Sequence, residues 1–117
     1  MKYRMIIPAV ALCLTSFTGL AAPGAQSREV TIPPCTNLDA AGIAALVKQD
    51  YLTNRVVAWA ADQKKLGQND PVVWVNTAEI VGEGGHWQVP LMVRGRSGDI
   101  QYSVIVECQT GVAHYMP

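Results

Sequence analysis

Two cysteines, Cys35 and Cys108, constrain this chain most, because a bond between them would close 73 residues of a 117-residue sequence into one loop. Whether they can bond depends on the compartment, and the N-terminus bears on that. The chain opens Met-Lys-Tyr-Arg and then carries no charge from Met5 to Ala22. A basic start, an apolar stretch and small residues beyond it form the secretory pattern. The competing reading is an uncleaved membrane helix. Pro8, Thr15, Ser16, Thr18 and Gly19 dilute the apolar stretch, and its solid part, Met5 to Leu14, is too short to span about 30 Å of hydrocarbon. We therefore expect residues 1–21 to be a cleavable signal peptide, with the mature chain beginning near Ala22 or a few residues later. Cys13 lies within the apolar stretch behind Leu12, where a lipid-modified cysteine would need a small residue.

Loss of Cys13 with the signal leaves two cysteines in an oxidising compartment, which implies a single bridge, Cys35–Cys108. Loop-closure entropy puts such a crosslink at roughly 4 kcal/mol, as much as a small core supplies. A redox-active thiol pair would need Cys-x-x-Cys spacing, which does not occur. Loss of Lys2 and Arg4 leaves seven basic residues against nine acidic ones, a net charge of −2. That balance gives no reason to bind nucleic acid. About 95 residues remain, enough for one domain and one modest core. Residues 22–34 read as a flexible N-terminal segment, within which Val30-Thr31-Ile32 alternates like a short strand, and residues 35–117 as the domain.

Thr36-Asn37-Leu38-Asp39 fits a capping box with Thr36 as N-cap, so a helix is expected from about Leu38. Ile43, Leu46, Val47 and Tyr51 form one apolar stripe, and Leu52, Val56, Trp59 and Leu66 form another on nearly the opposite side. An unbroken helix to Leu66 would also be about 42 Å long in a domain about 30 Å across. Both facts predict a break near Thr53-Asn54, and Leu66-Gly67 reads as the helix end. After Asp70-Pro71 the period becomes two, predicting strands over 72–81, 86–94, 100–108 and 112–115 with short turns between them. The expected fold class is α+β: a helical N-terminal half packed on a four-stranded antiparallel sheet, with one disulfide. Cys108 shares a face with Tyr102, Val104 and Val106, so it should point toward the helices that follow Cys35.

No residue set points to catalysis. Gly82-x-Gly84 leads into a strand, with Trp87 in place of a third glycine, so it reads as a hairpin turn. His86 and His114 lie on separate strands without ligand-spaced partners and read as exposed strand histidines. Asp50 lies on the first helical stripe and Asp62 near the second, and both read as a solvated helix edge. Arg94 and Arg96 bracket a turn and offer a small anionic-ligand spot or a solvated hairpin tip. Of Trp59, Trp74 and Trp87, at least one is expected at the core boundary with its N–H wet. No cofactor or metal is implied.

Several stretches closely resemble the YebF family of enterobacterial exported proteins. They are Asp39 to Ala44, Val47 to Tyr51, Asn54 to Val56, Trp59, Asp62 to Lys64, Val89 to Gly95, and Cys108 with Gly111 and Tyr115. The likeness spans essentially the whole mature chain and both cysteines. The colicin M immunity protein is more distantly similar, through the helix at Lys48 to Leu52, Trp59, Leu66-Gly67, Val89-Pro90 and the cysteine pair. The resemblance implies a four-stranded antiparallel sheet with helices packed on it and a disulfide to its third strand. It also implies export by the Sec machinery to the periplasm and passage through outer-membrane porins into the medium. The immunity branch instead keeps an uncleaved N-terminal helix and blocks a colicin-type toxin. This sequence departs from that branch, because its signal reads as cleavable and the mature chain as not membrane-spanning.

Overall fold

The computed structural model describes residues 27–117. The expected signal peptide, 1–21, and the start of the flexible segment lie outside the described residues. Four pieces make up the helical side and its approach: strand β1 (Arg28–Thr31), helix α1 (Ala40–Asp50), a π-helical turn (Tyr51–Arg55) and helix α2 (Ala60–Leu66). Strands β2 (Val72–Trp74), β3 (Val81–Glu83), β4 (His86–Arg94), β5 (Asp99–Glu107) and β6 (Val112–Met116) follow. All pair antiparallel in the order β1-β6-β5-β4-β2, with β3 sharing the β4 edge.

The expected four-stranded sheet is thus corrected to six strands, for two local reasons. The predicted strand over 72–81 is cut in two at Asn76, whose side chain accepts the Ala78 N–H at 3.1 Å and starts a single 3₁₀ turn, Thr77–Glu79. Residues 28–31, grouped by sequence with the flexible lead, form β1 and pair with β6 from Arg28↔Tyr115 to Thr31↔Val112. The helical half is correspondingly slight, since α1 has 11 residues and α2 only 7. The first cap also moves. Asp39, not Thr36, is the N-cap of α1 and accepts the Gly42 N–H at 2.9 Å. Thr36 is displaced because Cys35 is held to Cys108 both through sulfur and by Cys35 N–H to Cys108 O.

Between α1 and α2 the helix changes phase. The π turn adds a residue to one helical repeat, so side chains after Tyr51 rotate relative to those before it. Thr53 Oγ1 donates to Gln49 O at 2.6 Å, which favours the widening. The chain then leaves helical form and re-enters at Ala60. In this way Ile43, Val47 and Tyr51 on one side of the break, and Val56 and Leu66 on the other, all reach the same core. That core lies against Val89, Leu91 and Val93 of β4, Tyr102, Val104 and Val106 of β5, and Ala113 and Tyr115 of β6.

The Cys35–Cys108 bond, Cα to Cα 4.5 Å, ties the entry of the helical layer to the end of β5. Both cysteines are buried. Because the closed loop spans 73 residues, its opening in the unfolded chain should cost about 4 kcal/mol of stability. Reductant, or Cys35→Ser, is expected to lower the melting temperature by about 15 °C or more. Equal melting temperatures with and without reductant would contradict this.

Candidate functional site

The polar chemistry of the domain is concentrated at two buried carboxylates. Asp62 sits in the first turn of α2 and Asp50 at the end of α1, with 2% and 5% of their surface exposed. The sequence reading placed both on a solvated edge, and the structure corrects it. Asp50 already lies on the apolar stripe of α1, Asp62 follows the phase change, and both face three tyrosines that project from the π turn and the inner face of the sheet.

Asp62 accepts hydrogen bonds on Oδ2 from the hydroxyls of Tyr51 and Tyr102, each at 2.8 Å. Its Oδ1 accepts from Arg28 Nη1 at 3.1 Å. The same guanidinium donates to Tyr102 Oη at 3.2 Å and lies 4.2 Å from the ring centre of Trp59. Asp50 is more completely occupied. Oδ2 accepts from Tyr115 Oη at 2.8 Å and Arg55 Nε at 2.9 Å, while Oδ1 accepts from Arg55 Nη2 at 3.0 Å and Asn54 Nδ2 at 3.1 Å. Arg55 Nη2 also donates to Thr31 O at 2.8 Å. The rings of Tyr51, Trp59, Tyr102 and Tyr115 pack around these groups with centroids 5.3–6.2 Å apart, several of them edge to face.

Burial first, and then the bond to the Asp62 carboxylate, hold the Tyr51 and Tyr102 phenols well above their ordinary value of 10.0. Burial, followed by the nearby Asp50 charge, does the same for Tyr115. The phenols therefore stay protonated and act as donors to the two carboxylates. A groove of about 420 Å³ over α1, lined largely by apolar side chains such as Ala45 and Leu46, reaches Asp50. Asp50's oxygens already accept from Tyr115, Arg55 and Asn54, so they hold no idle lone pair for a ligand there. The arrangement joins layers: β1 to α2 through Arg28, β1 to α1 through Arg55, and both helices to β5 and β6 through the tyrosines.

The other sequence-derived candidates are scattered. His86 and His114 lie on the sheet face turned away from the helices. His114 Nε2 is 3.5 Å from Glu107 Oε2, and Glu107 stands opposite His86. Among the described residues no group of three or more His, Cys, Asp or Glu is arranged to hold a metal ion. Gly84 and Gly85 form the β3–β4 hairpin turn. Trp74 is 40% exposed, whereas the indole N–H of Trp87 is buried without a partner. The Asp–Tyr–Arg clusters escaped sequence reasoning, yet a signal existed. Three tyrosines at inward positions need buried acceptors, and Asp50 lies on the apolar stripe itself.

Two tests follow from these clusters. Asp62→Ala strands Arg28 and two phenols, and should cost about 3–5 kcal/mol in denaturant unfolding, whereas Tyr102→Phe should cost about 1–2 kcal/mol. Equal losses would show that the carboxylate is not the hub. Stability should also fall as pH rises above about 10, because unfolded tyrosines release protons there that the folded state retains. Denaturation midpoints across that range, with tyrosinate absorbance, should report up to three protons per molecule. A flat profile would refute it.

A family model described as YebF-like protein matches residues 28–116. Proteins named YebF from Yersinia pseudotuberculosis and Yersinia pestis are 43% identical over 90 residues, 77% of this chain and 66% of theirs. The chain thus spans just under two thirds of the length of these Yersinia relatives. The YebF of Photorhabdus laumondii is 39% identical over 112 residues, 96% of this chain and 90% of its own. The match begins at Arg28 and ends at Met116, so it takes in both ion-paired clusters and the disulfide as one unit, and the chain belongs to the YebF-like family.

Proposed function

We propose that this chain is a small exported, non-enzymatic protein that acts in the periplasm and the medium through surface contacts, among them contacts with outer-membrane porins. The observation that carries the reading is the closure of the interior. Every buried carboxylate is consumed by tyrosine, arginine or asparagine donors that belong to the fold itself. A general acid or base needs a proton it can exchange with a substrate, and a buried carboxylate bonded on both oxygens to donors of its own fold is not placed to offer one. What remains for recognition is the outside. The uncharged run from Met5 to Ala22 behind Lys2 and Arg4, and the paired cysteines, support the route out of the cytoplasm.

Intact-mass measurement of the protein recovered from spent medium tests the reading. The expected species lacks residues 1–21, or slightly more, and has the mass of the disulfide form. Cells without their major porins should hold that species in the periplasm instead. A chain that keeps Met1 to Ala21, or that is found only in the membrane fraction, would overturn the proposal.

A further inference from the structure

Most of the charges that the interior does not use gather toward opposite ends of the molecule. Arg28 and Arg55 are neutralised by Asp62 and Asp50. Of the five other basic residues among those described, four meet at one pole: Lys64 and Lys65 in the last turn of α2, Arg94 and Arg96 at the β4–β5 turn. Backbone contact brings these pairs together. Ser97 N–H donates to Leu66 O at 2.8 Å, and a Cβ at Gly95 would collide with Leu66, so only glycine lets the turn seat on the helix end. Asp70 and Asp99 are acidic residues at this pole, Asp99 lying 3.9 Å from Arg94, and Glu79 borders it in a small pocket shared with Trp74. Toward the other end lie Glu29, Glu83 and Glu107 on the sheet, with Asp39 at the start of α1.

The basic pole is also apolar at its margin. Val72, paired across from Arg94, is 63% exposed, and Trp74 is 40% exposed with the Arg94 guanidinium 5.2 Å from its ring centre. Cations beside an exposed tryptophan and valine form the combination that seats a protein in the headgroup layer of a membrane. We propose that this pole, built from Lys64, Lys65, Arg94 and Arg96 with Trp74 and Val72, docks peripherally and reversibly on an anionic phospholipid surface. The acidic far pole turns away from the same surface and sets the orientation. Docking of this kind is reversed by salt, since the cations are exposed and screened within about 10 Å.

Flotation of the purified oxidised protein with vesicles of phosphatidylcholine alone, or mixed with phosphatidylglycerol, tests this. Binding should require phosphatidylglycerol, shift tryptophan emission to the blue, and vanish near 1 M salt. Lys65→Gln and Arg96→Gln should each weaken it by about fivefold. Trp74→Phe should abolish the emission shift, and Glu29→Gln should leave binding intact. Melting temperatures of these surface variants should match the parent, which separates docking from folding. Equal binding to neutral vesicles, no binding at low salt, or indifference to the two charge substitutions would overturn the proposal. So would binding to polyglutamate as tight as to the vesicles, since that would identify an acidic polypeptide as the partner.

Discussion

A carboxylate taken out of water is tolerated only when its charge is paired and its lone pairs are occupied, and this fold does so twice within one small core. Asp62 and Asp50 draw their donors from segments far apart in sequence: Arg28 on the first strand, Tyr51 and Arg55 in the π turn, Tyr102 and Tyr115 on the sheet. None of these partners can be absent without leaving a buried polar group exposed to an apolar medium. The helices, the edge strand and the central hairpins are therefore obliged to assemble together. An apolar core of the same volume would accept small sliding motions between layers. Hydrogen bonds of 2.8 Å to a single oxygen do not, so the clusters specify register as well as stability.

The disulfide complements this arrangement. It acts at the entry to the helical layer, while the ion-paired clusters act past the middle of it. The segment from Cys35 to the π turn is consequently fixed at both ends, covalently at one and electrostatically at the other. The first strand has no covalent tie of its own. Its four residues are held by ladder bonds to the last strand, by Arg28 reaching Asp62, and by Arg55 reaching Thr31 O. A short edge strand with half its side chains in solvent would otherwise be a weak element.

Much of the architecture was legible where the signal was local and strong. The meander over 86–116 follows from period-two alternation and two clear turns. The break in the helical segment follows from two apolar stripes out of phase, and the π turn is the physical means of reconciling them. The division of the strand predicted over 72–81 was not legible. A three-residue element such as Val72–Trp74 or Val81–Glu83 has too little sequence to show a period, and the Asn76 turn that divides them looks like any polar interruption. At Arg28–Thr31 the alternation over Val30-Thr31-Ile32 reads as a short strand, but its partners lie 81–87 residues away, which no local pattern reports. The carboxylate clusters were hidden for a related reason. An aspartate on a helix is normally solvated, and phenols from distant strands, together with the phase change before Asp62, reverse that expectation.

The divided margin of the sheet has a consequence for how the protein survives at high concentration. Strands β2 and β3 lie along the same side of β4, three residues each, separated by the 3₁₀ turn. A foreign chain seeking to extend the sheet would find two stubs at different heights, not a straight rail of free amides and carbonyls. Each stub ends before a ladder of useful length can form, so stacking of molecule upon molecule is interrupted at its first step.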